Sequence, residues 1–523
     1  MMKNLMVIVG LLAISYYPLL PAQNVGETVN TSSGPITGHT AKTKQGVSEY
    51  LGIPYAKPPL GDLRFAAPES FTSSEPINAE SFSPDCPQKG LTVPPLSYPG
   101  QTPQFKKIVE AFAGGRGNPQ SEDCLTLNVW TKGKVLNRTK GVLVWFHGGR
   151  FTIGDTNTPF YNGEYLADAQ DIVVVTVNYR LNIFGFSGAP GAPLNEGLLD
   201  QRKAIEWVRD NIAAFGGDPV RITIMGQSAG GSAVDYYAYA YADDPIVAGL
   251  ISISGTALSF EANTPDFARQ SFLAAATNVS CSGSDDEIVT CMRGKPYQDL
   301  LAAVASVKPL PSAALAQPVF HPTVDDKTVF SLSTYRSRGA AGSFAKIPYL
   351  AGNTDHESGF YRLAALSQKI DFSPSQWNLY ELEGFTCATR DAVNFRAKQG
   401  VPAYRYRYFG TWPNLDLYPD SGAYHGSDLH MIFGASEDVT GIPPTREEVW
   451  TTEYQQRAWA AFVNDPSEGL RKMTWPVYAE GEGKNTLVRL ALEDNPSPSF
   501  VEPGIFDGRC PTNGSLKEAQ GAF

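Results

Sequence analysis

Short apolar runs alternate with amphipathic stretches along most of the chain. Val142-Leu143-Val144-Trp145-Phe146, Asp171 to Val177 and Val220 to Met225 are rich in β-branched residues and predict buried strands. Leu250-Ile251-Ser252-Ile253, Ile347 to Gly352, Ala403 to Phe409 and Leu487 to Leu490 extend the series. Leu198 to Phe215 is helix-like, with Ile205, Val208 and Ile212 on one face. Ala229 to Tyr241 is rich in Ala and Tyr and predicts another helix, and Trp450, Tyr454, Ala458 and Ala461 mark a late one. Strands alternating with helices predict an α/β fold, with a mostly parallel sheet covered on both faces. No internal repeat or long linker interrupts the pattern. One domain is therefore expected over 23–523.

The stretch 87–123 stands apart. It carries Pro94-Pro95, Pro99-Gly100 and Gly114-Gly115, with a helix-like patch from Phe105 to Ala113 between them. It reads as either a packed surface loop or a tethered flap.

Composition is ordinary for a globular protein, with 42% hydrophobic and 18% charged residues. The net charge of −11 argues against nucleic acid and anionic membranes as partners. Residues 1–22 read as a secretory signal peptide: Lys3 supplies a positive start, Leu5 to Leu20 is mostly apolar, and Pro21-Ala22 offers a cleavage site. Elsewhere no uninterrupted apolar run reaches the length of a membrane span. The polar C-terminus carries no lipid-anchor signal, so a secreted, extracellular protein is expected.

The six cysteines suit an oxidising compartment. Fifteen pairings are open. Cys281 and Cys291 flank a polar segment that a local bridge could close. Cys86 and Cys124 bracket the Pro- and Gly-rich stretch, which leaves Cys387 and Cys510. Sequons at Asn30, Asn137, Asn278 and Asn513 are candidate glycosylation sites.

The candidate chemistry sits at 226–230. Gly226-Gln227-Ser228-Ala229-Gly230 lies between a predicted strand and a predicted helix, the context of a nucleophile elbow. Alone, the pattern also fits a glycine-rich loop with an exposed serine. A second signature, His147-Gly148-Gly149-Arg150-Phe151, follows another predicted strand. A Gly-rich turn there exposes backbone N–H groups that can hold an oxyanion, together with the N–H of Ala229.

Further motifs occur in order. They are Tyr50-Leu51-Gly52-Ile53-Pro54-Tyr55-Ala56, Ser121-Glu122-Asp123-Cys124-Leu125-Thr126-Leu127-Asn128-Val129, Asn178-Tyr179-Arg180, and Phe215-Gly216-Gly217-Asp218-Pro219 leading into the elbow. Taken together, the chain resembles the type-B carboxylesterase and lipase family, which includes cholinesterases. It looks most like the secreted fungal carboxylesterases. The resemblance implies an α/β-hydrolase fold and hydrolysis of small-molecule carboxylic esters through an acyl-enzyme, without metal or organic cofactor. It implies Glu357 as the acid, in Gly352-Asn353-Thr354-Asp355-His356-Glu357, and His425 as the base, in His425-Gly426-Ser427-Asp428. On chemistry alone Asp355 rivals Glu357, and His430 is the nearest alternative to His425.

The resemblance also implies an oxyanion hole built from the N–H groups of Gly149, Arg150 and Ala229. Most relatives carry a third consecutive glycine where this chain has Arg150. A cation there could favour acidic substrates, or simply point into solvent. A lipase working at lipid interfaces is the main alternative to an esterase of soluble substrates. A non-catalytic binding protein on the same scaffold is the alternative from another class.

Overall fold

The β-branched runs form the middle of an eleven-stranded sheet in a computed structural model of the protein. The structure describes residues 25–89, 98–112, 117–133, 139–308 and 317–511. The signal segment, Asn137, Asn513, Pro94-Pro95 and Gly114-Gly115 lie outside these residues.

The strands are β1 (His39–Thr40), β2 (Val47–Pro54), β3 (Thr126–Lys132), β4 (Lys140–Phe146), β5 (Val173–Val177), β6 (Gly217–Gln227), β7 (Gly249–Ile253), β8 (Tyr349–Thr354), β9 (Ala403–Tyr408), β10 (Leu487–Leu490) and β11 (Ser499–Val501). They lie side by side as β11-β10-β9-β8-β7-β6-β4-β5-β3-β2-β1. From β10 to β5 all neighbours are parallel, and only the margins are antiparallel. The mostly parallel sheet read from the sequence is thus present.

Both faces of the central strands are buried, which is why these runs are continuously apolar rather than alternating. Leu143, Trp145, Val174, Met225 and Ile251 point into one core. Val142, Val144, Phe146, Val173, Val175, Ile222 and Ile224 point into the other. Five helices matter below: α1 (Phe105–Phe112), α2 (Glu196–Asn211), α3 (Ala229–Ala240), α4 (Ser358–Ser367) and α5 (Arg446–Asn464). α2 and α3 cover the second face through Ala204, Ile205, Val208, Val234 and Ala238. α5 covers the first through Ala458, Trp459, Phe462 and Val463.

Element ends differ from the sequence reading for local reasons. β5 starts at Val173 because Asp171 adopts a left-handed φ of 51° to cap the preceding helix. α2 stops at Asn211, and the chain tightens into a 3₁₀ turn closed by Gly216. β2 and β3 were legible only as family motifs, since marginal strands lack the continuous apolar signal.

Three disulfides join Cys86 to Cys124, Cys281 to Cys291, and Cys387 to Cys510. The described part of 87–123 is packed. Phe105, Ile108 and Val109 of α1 enter the core. The Thr102 hydroxyl donates to the Asp416 carbonyl at 2.6 Å and the Gln104 amide to the Pro413 carbonyl at 2.8 Å. Among the described residues no helix is long and apolar enough to cross a membrane.

Candidate active site

The carboxyl ends of β4, β6, β7, β8 and β9 deliver the groups at this site, where parallel α/β sheets generally place their binding crevices. Ser228 occupies the single-residue junction between β6 and α3, at φ 58° and ψ −121°. Its N–H donates to the Ile253 carbonyl at 2.8 Å, tying the turn to the neighbouring strand. The tightness of the turn suggests that side chains at 226 and 230 would collide with Ser228. The collisions lie elsewhere. A Cβ on Gly226 would stand 2.3 Å from the Gly230 carbonyl group, and one on Gly230 would stand 2.0 Å from the Phe146 carbonyl oxygen. The glycines let the two arms of the turn close and let α3 start against the end of β4.

Beyond β4 the chain makes a tight left-handed turn. Gly149, Arg150 and Phe151 have φ of 103°, 58° and 61°. The position where a third glycine is usual therefore does adopt positive φ, and Arg150 carries that strain. The turn is locked from several sides. The N–H groups of Thr152 and Ile153 both donate to the Gly149 carbonyl at 3.1 Å. The Tyr179 hydroxyl donates to the His147 carbonyl at 2.7 Å, while its ring stacks on the His147 ring at 4.4 Å. Burial holds His147 down to about 4, so it is a neutral structural group. At the start of α3 the Ala229 N–H is one of the donors that a helix leaves unpaired.

Glu357 and His425 meet from different strands. Glu357 follows β8 and begins α4. Its Oε2 lies 2.5 Å from His425 Nδ1. Its Oε1 accepts from the Ser254 hydroxyl at 2.6 Å and from the Thr354 N–H at 2.8 Å. Asp355 points elsewhere and accepts from Arg407 Nε at 2.7 Å. His430 is packed on Phe160, with ring centroids 4.3 Å apart, and burial holds it down to about 3. The structure thus brings Glu357, and not Asp355, to His425, and leaves His430 in the core.

His425 and Ser228 are both buried, at 2% and 5% exposure. With Nδ1–H directed at Glu357, His425 Nε2 is an acceptor. The Gln227 side-chain amide stands 3.0 Å from it and the Tyr361 hydroxyl 3.2 Å. The His425 ring is held by Tyr361, Phe385 and Phe112 at 4.9, 5.3 and 6.2 Å. Phe385 comes from a π-helical turn, Leu382–Cys387, whose last residue is bridged to Cys510.

Ser228 opens on a cleft whose empty space, counted to its mouth, is about 630 Å³. Phe151, Tyr236, Phe260, Tyr361 and Tyr380 give it aromatic walls, and Arg150, Glu261, Gln317 and His321 bring polar groups. Burial, with the Arg150 charge adding, holds His321 below its usual range.

Sequence reasoning did not find Ser254, Tyr361, Tyr380, Phe385 or His321, and gave Gln227 no role. One signal was available: Tyr361 lies four residues after Glu357, one helical turn along α4, so both face the same side.

The Carboxylesterase family description matches residues 25–383. Secreted lipase 5 of Gibberella zeae is 32% identical over 98% of this chain and 99% of its own length. Chlorogenic acid esterase of Aspergillus niger is 35% identical over 87% of this chain and 89% of its own. Acetylcholinesterase of Bungarus fasciatus is 28% identical over 93% and 86% respectively.

Proposed function

The chain belongs to the carboxylesterase family and is a carboxylic ester hydrolase, and we propose that Ser228, His425 and Glu357 carry the reaction through an acyl-enzyme. His425 Nε2 takes the Ser228 proton as Oγ attacks the ester carbonyl. The tetrahedral oxyanion is held by the N–H groups of Gly149, Arg150 and Ala229. The intermediate collapses, and the alcohol leaves with the proton from Nε2. Water then attacks the acyl-enzyme with His425 again as base, and the acid departs. Glu357 orients the ring and stabilises the imidazolium. The chemistry as written calls for no cofactor.

The observation that carries this reading is the 2.5 Å contact of Glu357 with His425 Nδ1, set beside a serine held at positive φ between β6 and α3. Ser228→Ala tests it. Loss of a triad nucleophile costs about 10⁶ in kcat, and a fluorophosphonate should label Ser228 in the parent and nothing in the variant. Activity in Ser228→Ala within about tenfold of the parent would sink the mechanism.

Export is part of the proposal. Three disulfides suit an oxidising compartment, and one relative is named a secreted lipase. Asn30 and Asn278 are both exposed, as glycan acceptors must be. The same relative's name supports the lipase alternative. A p-nitrophenyl panel of rising acyl length separates lipase from esterase.

A further inference from the structure

The Tyr361 hydroxyl stands beside His425 Nε2 and interacts with the Ser228 hydroxyl, the two ends of the proposed proton transfer. It lies 3.2 Å from His425 Nε2. It also interacts with the Tyr380 hydroxyl. Burial pushes the phenol up to about 12, the Glu357 charge adds to this, and Arg150 with the Ser228 and Tyr380 hydroxyls opposes it. It therefore stays protonated and can donate.

Any leaving-group oxygen must come within hydrogen-bond reach of Nε2 to receive its proton. It leaves from a carbon bonded to Ser228 Oγ. An oxygen so placed lies beside the Tyr361 hydroxyl, which meets both partners. The attacking water of the second half-reaction occupies the same place, because that step runs the same path in reverse.

We propose that Tyr361 is a further catalytic residue, donating a hydrogen bond to the leaving-group oxygen as it departs and to the hydrolytic water as it enters. The proton itself still moves from His425 Nε2 to the alkoxide, and Tyr361 keeps its own. In the resting enzyme the Tyr361 hydroxyl turns to Nε2, and it swings to the substrate oxygen on binding. Tyr380, whose ring packs on that of Tyr361 at 5.1 Å and whose hydroxyl interacts with it, makes it a stronger donor, since neighbouring hydroxyls polarise one another. Arg150 stabilises the partial negative charge that the phenol oxygen gains. The proposal rests on the Ser228–His425–Glu357 reading.

A donor at the leaving oxygen matters most when the alkoxide is a poor leaving group. The experiment measures kcat/KM for one acyl group esterified to p-nitrophenol, phenol, trifluoroethanol and ethanol, in the parent and in Tyr361→Phe. We expect the ethyl ester to lose about 100-fold, as for a lost oxyanion donor, and the p-nitrophenyl ester to lose little. The plot of log(kcat/KM) against leaving-group pKa should then steepen. Tyr380→Phe, which leaves Tyr361 in place, should steepen it less. A wall or packing role would lower all four esters together, so parallel lines in both variants overturn the proposal. Fluorophosphonate labelling is run alongside. Labelled Ser228 with parallel lines condemns Tyr361 alone, whereas an unlabelled parent condemns the triad reading beneath it.

Discussion

Adding one methyl group at Gly230 should disable the site without unfolding the protein. The Cβ of Gly230→Ala would stand 2.0 Å from the Phe146 carbonyl oxygen, 2.8 Å from its carbon and 2.9 Å from the His147 oxygen, where ordinary contact begins near 3.4 Å. All three atoms are backbone, so no side chain can swing away. The start of α3 and the end of β4 must separate by more than an ångström. β4 is clamped between β5 and β6 by its register on both sides, so the strain falls on the turn. Overpacking of this kind costs about 1–3 kcal/mol of stability. The larger effect is on rate. Ala229 rides on α3 and Gly149 on the loop after β4, so the proposed oxyanion donors move apart, and a misplacement of roughly 1 Å costs about 100-fold. The assay is kcat/KM on p-nitrophenyl acetate with a thermal melt. Gly504→Ala is the control, because nothing lies within 4 Å of a Cβ there. Gly230→Ala retaining activity within about threefold at an unchanged melting temperature would show slack in the turn and refute the argument.

Two further predictions concern charge. Burial pushes the Asp428 carboxyl up from 3.8 to about 7. The folded state therefore binds this proton more tightly than the unfolded chain, and the buried charge destabilises progressively from pH 4 to 7 and fully above it, by at most about 4 kcal/mol. Asp428→Asn removes that penalty, so its melting temperature relative to the parent should rise between pH 4 and pH 8; a gap independent of pH refutes it. Arg150 lines the cleft beside the oxyanion turn. A charge-assisted contact of about 1.5–3 kcal/mol would favour esters bearing a carboxylate. Arg150→Gly should lower the acidic-to-neutral ratio of kcat/KM and relieve the positive-φ strain. An unchanged ratio would make Arg150 a structural residue.

The central strands, the elbow and the Gly-rich turn could be read from the sequence because each depends on local chemistry. A strand buried on both faces must be apolar at every position, and chain segments that pass too close for a Cβ select glycine, so Val142 to Phe146 and Gly226 to Gly230 declare themselves. The order of motifs sufficed for the family. Tertiary structure alone decided the rest. Only the folded sheet shows that Gly230 is required by the end of β4 and not by Ser228. Only packing turns Asp355 toward Arg407 and buries His430, though both are chemically suited to the roles of Glu357 and His425. Ser254 and Phe385 reach the triad from two separate elements, and no spacing along the chain encodes that meeting. Parallel strands gather at one edge residues that lie hundreds of positions apart, and the chemistry at that edge is set by which side chains the closed fold leaves within hydrogen-bonding distance.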